Sequence, residues 1–206
     1  MPVIVLVGNK GGAGKTTLSI NLANALTERD TTVLLDADPQ GSSLQWSEIG
    51  EGNLVVHEAD EALGEHALAM QQYYQYVIVD CPPSVQATQT HAALQACDVA
   101  LIPVQPSPMD LWATVHIEQA VEQARTVNDR LAAWLVINQL EPRTTLSRLV
   151  REAVAEIDIP VAETPIRRRA IYRSSVLEGK SVYDMGSRGA EAVNELNQLI
   201  QEVVPS

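Results

Sequence analysis

Short, nearly continuous apolar runs alternate along this chain with longer stretches whose apolar positions recur every three or four residues. The runs at 3–7, 32–36, 54–57, 76–80, 99–104 and 133–138 are rich in Val, Ile and Leu and predict strands, with a weaker one at 159–162. Because they lack polar alternation, these strands should be buried on both faces, as in a parallel sheet. Helical spacing, as at Leu18, Leu22, Ala25 and Leu26, predicts helices over 16–28, 61–72, 86–96, 110–127, 145–156 and 190–203. Strands and helices that take turns imply an α/β fold with a mostly parallel, twisted sheet flanked by helices. No linker, repeat or low-complexity stretch divides residues 1–206, so one domain is expected.

The polar residues that matter sit where the apolar runs end. After Val3–Val7 comes Gly8-Asn9-Lys10-Gly11-Gly12-Ala13-Gly14-Lys15-Thr16-Thr17, and then the first helix. Strand, glycine-rich loop and helix is the context in which backbone N–H groups and a helix N-terminus cradle phosphates. The common pattern G-x-x-x-x-G-K-[ST] is met only approximately, because Asn9 stands where its first glycine belongs. Lys15 is the expected phosphate cation and Thr16 the expected Mg²⁺ ligand. Lys10 is a second lysine that a phosphate site of this kind does not need. Two further strands end in acids, Asp36-Ala37-Asp38-Pro39-Gln40 and Asp80-Cys81-Pro82-Pro83. Ligands in open α/β sheets lie at the carboxyl ends of the strands, which places all three acids beside the loop.

Composition narrows the class. Two cysteines, Cys81 and Cys97, suit a reducing compartment and show no metal-ligand spacing. The chain has no signal peptide and no run of 18 apolar residues, so a cytoplasmic, non-spanning protein is expected. A net charge of −12 argues against indiscriminate nucleic-acid binding. The charge is uneven, however: residues 143–188 hold nine Lys and Arg against six Asp and Glu. The last apolar-periodic segment, 190–203, contains no basic residue, so anionic lipid would repel it.

Taken together, Lys10–Thr17, Asp36–Gln40, Asp80–Pro83 and the proline-rich Leu101–Asp110 resemble the ParA/MinD family of deviant-Walker ATPases, in family order and over nearly the whole chain. The resemblance to its small ParA-type members, which serve plasmid partition or carboxysome positioning, implies a P-loop ATPase that closes on ATP as a nucleotide-sandwich dimer. It implies that Lys10 reaches the partner's ATP, and that Gly11, Gly12, Ala13, Gly14, Lys15, Thr16 and Thr17 hold phosphates. It makes Thr16 and Asp80 the Mg²⁺ residues, Asp38 the acid acting on the attacking water and Asn138 an adenine contact. It further implies non-specific binding to nucleoid DNA through basic residues of the last third, with Arg143, Arg148, Arg151, Arg167, Arg168 and Arg169 as candidates. Arg167–Arg169 follow a segment that in relatives lies near the base and the dimer interface, so a place there is open to them as well. The cofactors implied are ATP and Mg²⁺, and the partner a ParB-like or McdB-like adaptor that stimulates hydrolysis. The competing reading is a metabolic or redox enzyme on the same scaffold, such as an iron protein or a cluster-assembly scaffold.

Overall fold

The computed structural model describes residues 1–59, 62–141 and 157–204, with the side chains of 108–113 outside that description. Six strands are seen there: β1 (Val3–Leu6), β2 (Thr32–Asp36), β3 (Val55–Glu58), β4 (Tyr76–Asp80), β5 (Val99–Val104) and β6 (Ala132–Ile137). They form one sheet in the order β3-β2-β4-β1-β5-β6, with every pair parallel. The helices are α1 (Lys15–Thr27), α2 (Ser42–Ile49), α3 (Leu63–Met70), α4 (Thr88–Ala96), α5 (Pro108–Arg125), α6 (Ala170–Leu177) and α7 (Ala190–Val203), with a 3₁₀ segment at Val182–Arg188.

Alternate residues of β1, β2, β4, β5 and β6 feed two cores, whereas the edge strand β3 is largely exposed. Val3, Val5, Val33, Leu35, Val77 and Val79 pack with residues of α3, α4 and α5 on one face. Ile4, Leu6, Leu34, Ile78 and Leu101 pack on the other with Leu18, Leu22 and Leu26 of α1, Trp46 of α2 and Leu196, Leu199 and Ile200 of α7. With both faces covered, those five strands need no polar alternation. Strand β3, expected from the 54–57 run to be buried on both faces, instead lies at the sheet edge with Val55, His57 and Glu58 exposed. The chain contains no phenylalanine. Aliphatic side chains fill both layers instead, each worth about 1.5–3 kcal/mol when fully buried.

Other features also differ from the sequence reading. The 159–162 run forms only an isolated parallel bridge, Val161 to Leu135, rather than a strand. Helices α2 and α6 have no counterpart among the expected helices. Helix α2 is fixed by its surroundings: the Asp36 carboxylate accepts from the N–H groups of Ser43 (2.8 Å) and Leu44 (3.0 Å), capping the helix from a neighbouring strand. At its far end Gly50 meets Gly179 backbone to backbone; a Cβ on Gly50 would fall 2.0 Å from the Gly179 carbonyl oxygen. The helix expected over 145–156 lies outside the described residues, as do Arg143, Arg148 and Arg151.

Strand order positions the functional end of the molecule. Strand β4 runs between β1 and β2, with Asp80 in register with Leu6 on one side and Asp36 on the other. Asp80 therefore stands between the glycine loop and the Asp36–Asp38 segment.

Candidate phosphate- and metal-binding site

The glycine loop leaves β1 and enters α1 through Gly14, whose φ of 95° belongs to the left-handed region that glycine tolerates. A side chain there is also excluded by a neighbour, since a Cβ would lie 2.3 Å from Asn138 Nδ2. Three carboxamides hold the loop by its carbonyls. Asn138 donates to Ala13 O at 2.7 Å, while Gln139 (3.1 Å) and Gln105 (2.5 Å) both donate to Gly12 O. Across a trans peptide the Ala13 and Gly14 N–H groups face away from those carbonyls, as an anion cradle requires.

Lys15 is buried, with 6% of its surface exposed, and its ammonium donates to the Lys10 carbonyl at 3.3 Å. Burial lowers its pKa, and the nearby negative charges of Asp80 and Asp38 oppose that shift. A phosphate would supply the compensation that burial demands. Lys10 and Asp38 are half-buried, whereas Gly11 and Gly12 are exposed.

Asp80 is fully buried. Ser19 Oγ donates to its Oδ1 at 3.2 Å and Ser43 Oγ to its Oδ2 at 3.0 Å. Burial pushes its pKa up to about 6, against the opposing hydrogen bonds from Thr16 and Ser43 and the charge of Lys15. A carboxylate held at such cost, ringed by hydroxyls and next to a phosphate loop, is a hard-oxygen donor set of the sort that suits Mg²⁺. Asp36 differs in role. Besides capping α2, its Oδ1 accepts the Asp38 N–H at 3.2 Å, so it fixes backbone around Asp38. Burial raises its pKa, and the three N–H groups oppose the shift.

On the other side of the loop a cavity of about 520 Å³ is bordered by Gly14 and Thr17, by Asn138 and Gln139, and by α6. Arg167, Arg168 and Arg169 reach its rim, and each is engaged by carboxylates. Arg168 pairs with Glu141 at 2.7 Å, Arg169 with Glu195 at 2.7 Å and with Glu191, and Arg167 with Glu195 at 3.6 Å. Hydrogen bonding to Glu195 raises the Arg169 pKa further. All three arginines thus lie beside this cavity and are paired with carboxylates. Asn138 lines the same cavity, but its amide already serves the loop and the Gln139 N–H. Sequence reasoning missed Ser19, Ser43, Gln105 and Gln139. Only Gln105 carried any signal, as part of the proline-rich segment.

Both cysteines are fully buried, and burial lifts each thiol pKa above its ordinary value. Among the described residues no three His, Cys, Asp or Glu side chains are placed to hold a metal ion together. A thiol reagent such as DTNB should therefore react with neither cysteine of the folded protein within minutes, and with both after denaturation. Immediate release of two equivalents from folded protein would reverse that conclusion. No helix among the described residues is long and apolar enough to cross a membrane.

Fold and loop together define a P-loop nucleotide-binding protein, and residues 4–182 match the CobQ/CobB/MinD/ParA nucleotide-binding domain, the family to which this chain belongs. Among its relatives are two proteins for maintenance of carboxysome distribution, both designated A. That of Halothiobacillus neapolitanus is 42% identical, with 96% of this chain and 94% of the relative covered. That of Gloeobacter kilaueensis is 30% identical, with 98% and 93% covered. Among solved structures, cobyrinic acid a,c-diamide synthase of Mycobacterium smegmatis, with bound ATP analog and magnesium, superposes with a TM-score of 0.79. It is 24% identical, with 98% of this chain and 94% of that one covered, and shares the fold.

Proposed function

We propose that this chain is a ParA-like ATPase that dimerises with ATP, binds nucleoid DNA non-specifically and positions a cargo through partner-stimulated hydrolysis. A protein organelle of the carboxysome kind is the cargo favoured by the two relatives maintaining carboxysome distribution. The observation that carries the reading is the two-lysine loop set against Asp38 and Asp80. Gly11–Thr17 hold the phosphates, and Lys15 neutralises them from its buried position. Thr16 and Asp80 are the residues that would hold Mg²⁺, Asp80 through water. Bound Mg²⁺ supplies charge neutralisation of the β- and γ-phosphates. Asp38 orients the attacking water and takes its proton. Lys10 serves the ATP of a second copy, so that hydrolysis and association depend on each other. The cavity beside Gly14 and Thr17 takes the base, with Asn138 at its wall.

DNA binding is assigned first to Arg143, Arg148 and Arg151. Arg167, Arg168 and Arg169 contribute less, because phosphate would have to displace the carboxylates already paired with them. An adaptor of the ParB-like or McdB-like kind triggers turnover and carries the cargo. The site of action is the cytoplasm, on the nucleoid.

The test is DNA retention with ATP and with ADP over a range of salt concentrations. Retention is expected with ATP only. Arg148→Glu with Arg151→Glu should weaken it and flatten the slope of log affinity against log salt by about 0.9 for each DNA phosphate that is no longer neutralised. An ATP form that ignores DNA at low salt, or an unchanged slope in the double variant, would remove DNA from the proposal.

A further inference from the structure

Helix α2 touches both acids of the phosphate site through one residue. Ser43 is fully buried, and it uses its backbone and its side chain in opposite directions. Its N–H donates to Asp36 Oδ2 at 2.8 Å, and its Oγ donates to Asp80 Oδ2 at 3.0 Å. Asp36 in turn accepts the Asp38 N–H at 3.2 Å. Asp80, Ser43, Asp36 and Asp38 thus form one continuous hydrogen-bonded series from β4 to the end of β2. Ser19 also donates to Asp80, at 3.2 Å, but it is shared with its own helix through the Lys15 carbonyl at 3.0 Å and has no link to Asp36.

We infer that Ser43 is a positioning residue that holds the Asp80 carboxylate in register with the Asp36–Asp38 segment. A carboxylate on a single side-chain bond can rotate, and two oxygens held by Ser19, Ser43 and the Thr16 hydroxyl cannot do so without breaking a buried hydrogen bond. The Ser43 hydroxyl is itself immobilised, because its N–H is anchored on Asp36 at the capped end of α2. A hydroxyl that donates to one oxygen of a metal-side carboxylate leaves a lone pair on that oxygen and the other oxygen's remaining one for water or cation. Groups that orient such carboxylates typically alter metal affinity or activity by 10–100-fold when removed.

This inference rests on the ATP and Mg²⁺ reading above, and the experiment separates the two. Binding of a fluorescent N-methylanthraniloyl-ATP is titrated with Mg²⁺ for the wild-type chain, Ser43→Ala, Ser43→Thr and Ser19→Ala, with melting temperature measured in parallel. If the wild-type chain binds the analogue with no response to Mg²⁺, the cation reading fails and takes the inference with it. With a wild-type response in hand, Ser43→Ala should raise the half-saturating Mg²⁺ concentration by about tenfold or more. Its affinity for the analogue in EDTA should stay the same, and Ser43→Thr should restore the response. Ser19→Ala should shift the Mg²⁺ midpoint less than Ser43→Ala, since it leaves the series to Asp36 intact. A folded Ser43→Ala variant with the wild-type Mg²⁺ midpoint would overturn the assignment, whether or not its melting temperature falls.

Discussion

Lys15→Met abolishes ATP binding at concentrations that saturate the wild-type chain, yet leaves the melting temperature unchanged or raises it. The first half follows from what the ammonium meets. Among the described residues its ammonium donates to a neutral carbonyl at 3.3 Å, with Asp80 and Asp38 acting on it through their charge, so a triphosphate offers it a far stronger hydrogen-bond partner. Removing one side of a buried, charge-assisted pair costs about 3–5 kcal/mol. At 1.4 kcal/mol per factor of ten, that lowers affinity by roughly two to three and a half orders of magnitude. The second half follows from burial. Desolvation is the largest influence on Lys15 and penalises its charge, and its methylenes lie beside Gly8, where a Cβ would sit 3.5 Å from the lysine Cδ. Methionine keeps much of that apolar packing and removes the charge that burial disfavours. Isothermal titration with ATP and a thermal melt without nucleotide check the two halves. Wild-type affinity in the variant would take Lys15 out of the phosphate site, and a large fall in melting temperature would make it a structural cation.

That opposition between binding and stability marks where sequence reading succeeds. Val3–Val7 and Tyr76–Asp80 were legible because a strand buried on both faces has no polar partner to interrupt it, and each run stopped where the sheet stops. The loop was legible because its chemistry is local: glycines, lysine and threonine act within one turn of each other. Helix α2 was not, since Ser42-Ser43-Leu44-Gln45-Trp46-Ser47-Glu48-Ile49 buries little besides Ser43 and Trp46. It is held by Asp36 from outside, and no pattern within its own eight residues encodes that cap. Ser43 was invisible for the same reason. Seven positions separate it from Asp36 and 37 from Asp80, and only the pairing of β2 with β4 brings the three together. The arginines show the converse limit. A run of three basic residues suggests a phosphate surface, but the carboxylates that meet Arg167 and Arg169 come from α7, more than twenty residues away in sequence. Charge counted along a chain does not reveal which charges neutralise one another in space.

Asp38→Ala should retain ATP, slow its hydrolysis by about 10²–10⁴-fold and accumulate the ATP-bound dimer. The range is that of a positioned general base. Retention of ATP is expected because Asp38 gives the buried acid network only its N–H, which alanine also possesses. Asp80, Ser43, Thr16 and Lys15 keep their partners. Among the described residues the carboxylate accepts the Gln40 N–H at 3.0 Å in the turn that leads to α2, and its charge also acts on Lys15. Loss of that bond costs on the order of 1 kcal/mol, too little to account for a thousandfold kinetic effect. Asp38→Asn distinguishes the two tasks, because the amide oxygen can still close the turn while the basic oxygen is gone. If Asp38 acts on water, alanine and asparagine slow turnover alike, and light scattering after gel filtration with ATP shows a dimer in both. If asparagine instead hydrolyses ATP at the wild-type rate, the turn is what matters and the proton acceptor must be sought elsewhere among the acids at the ends of β2 and β4.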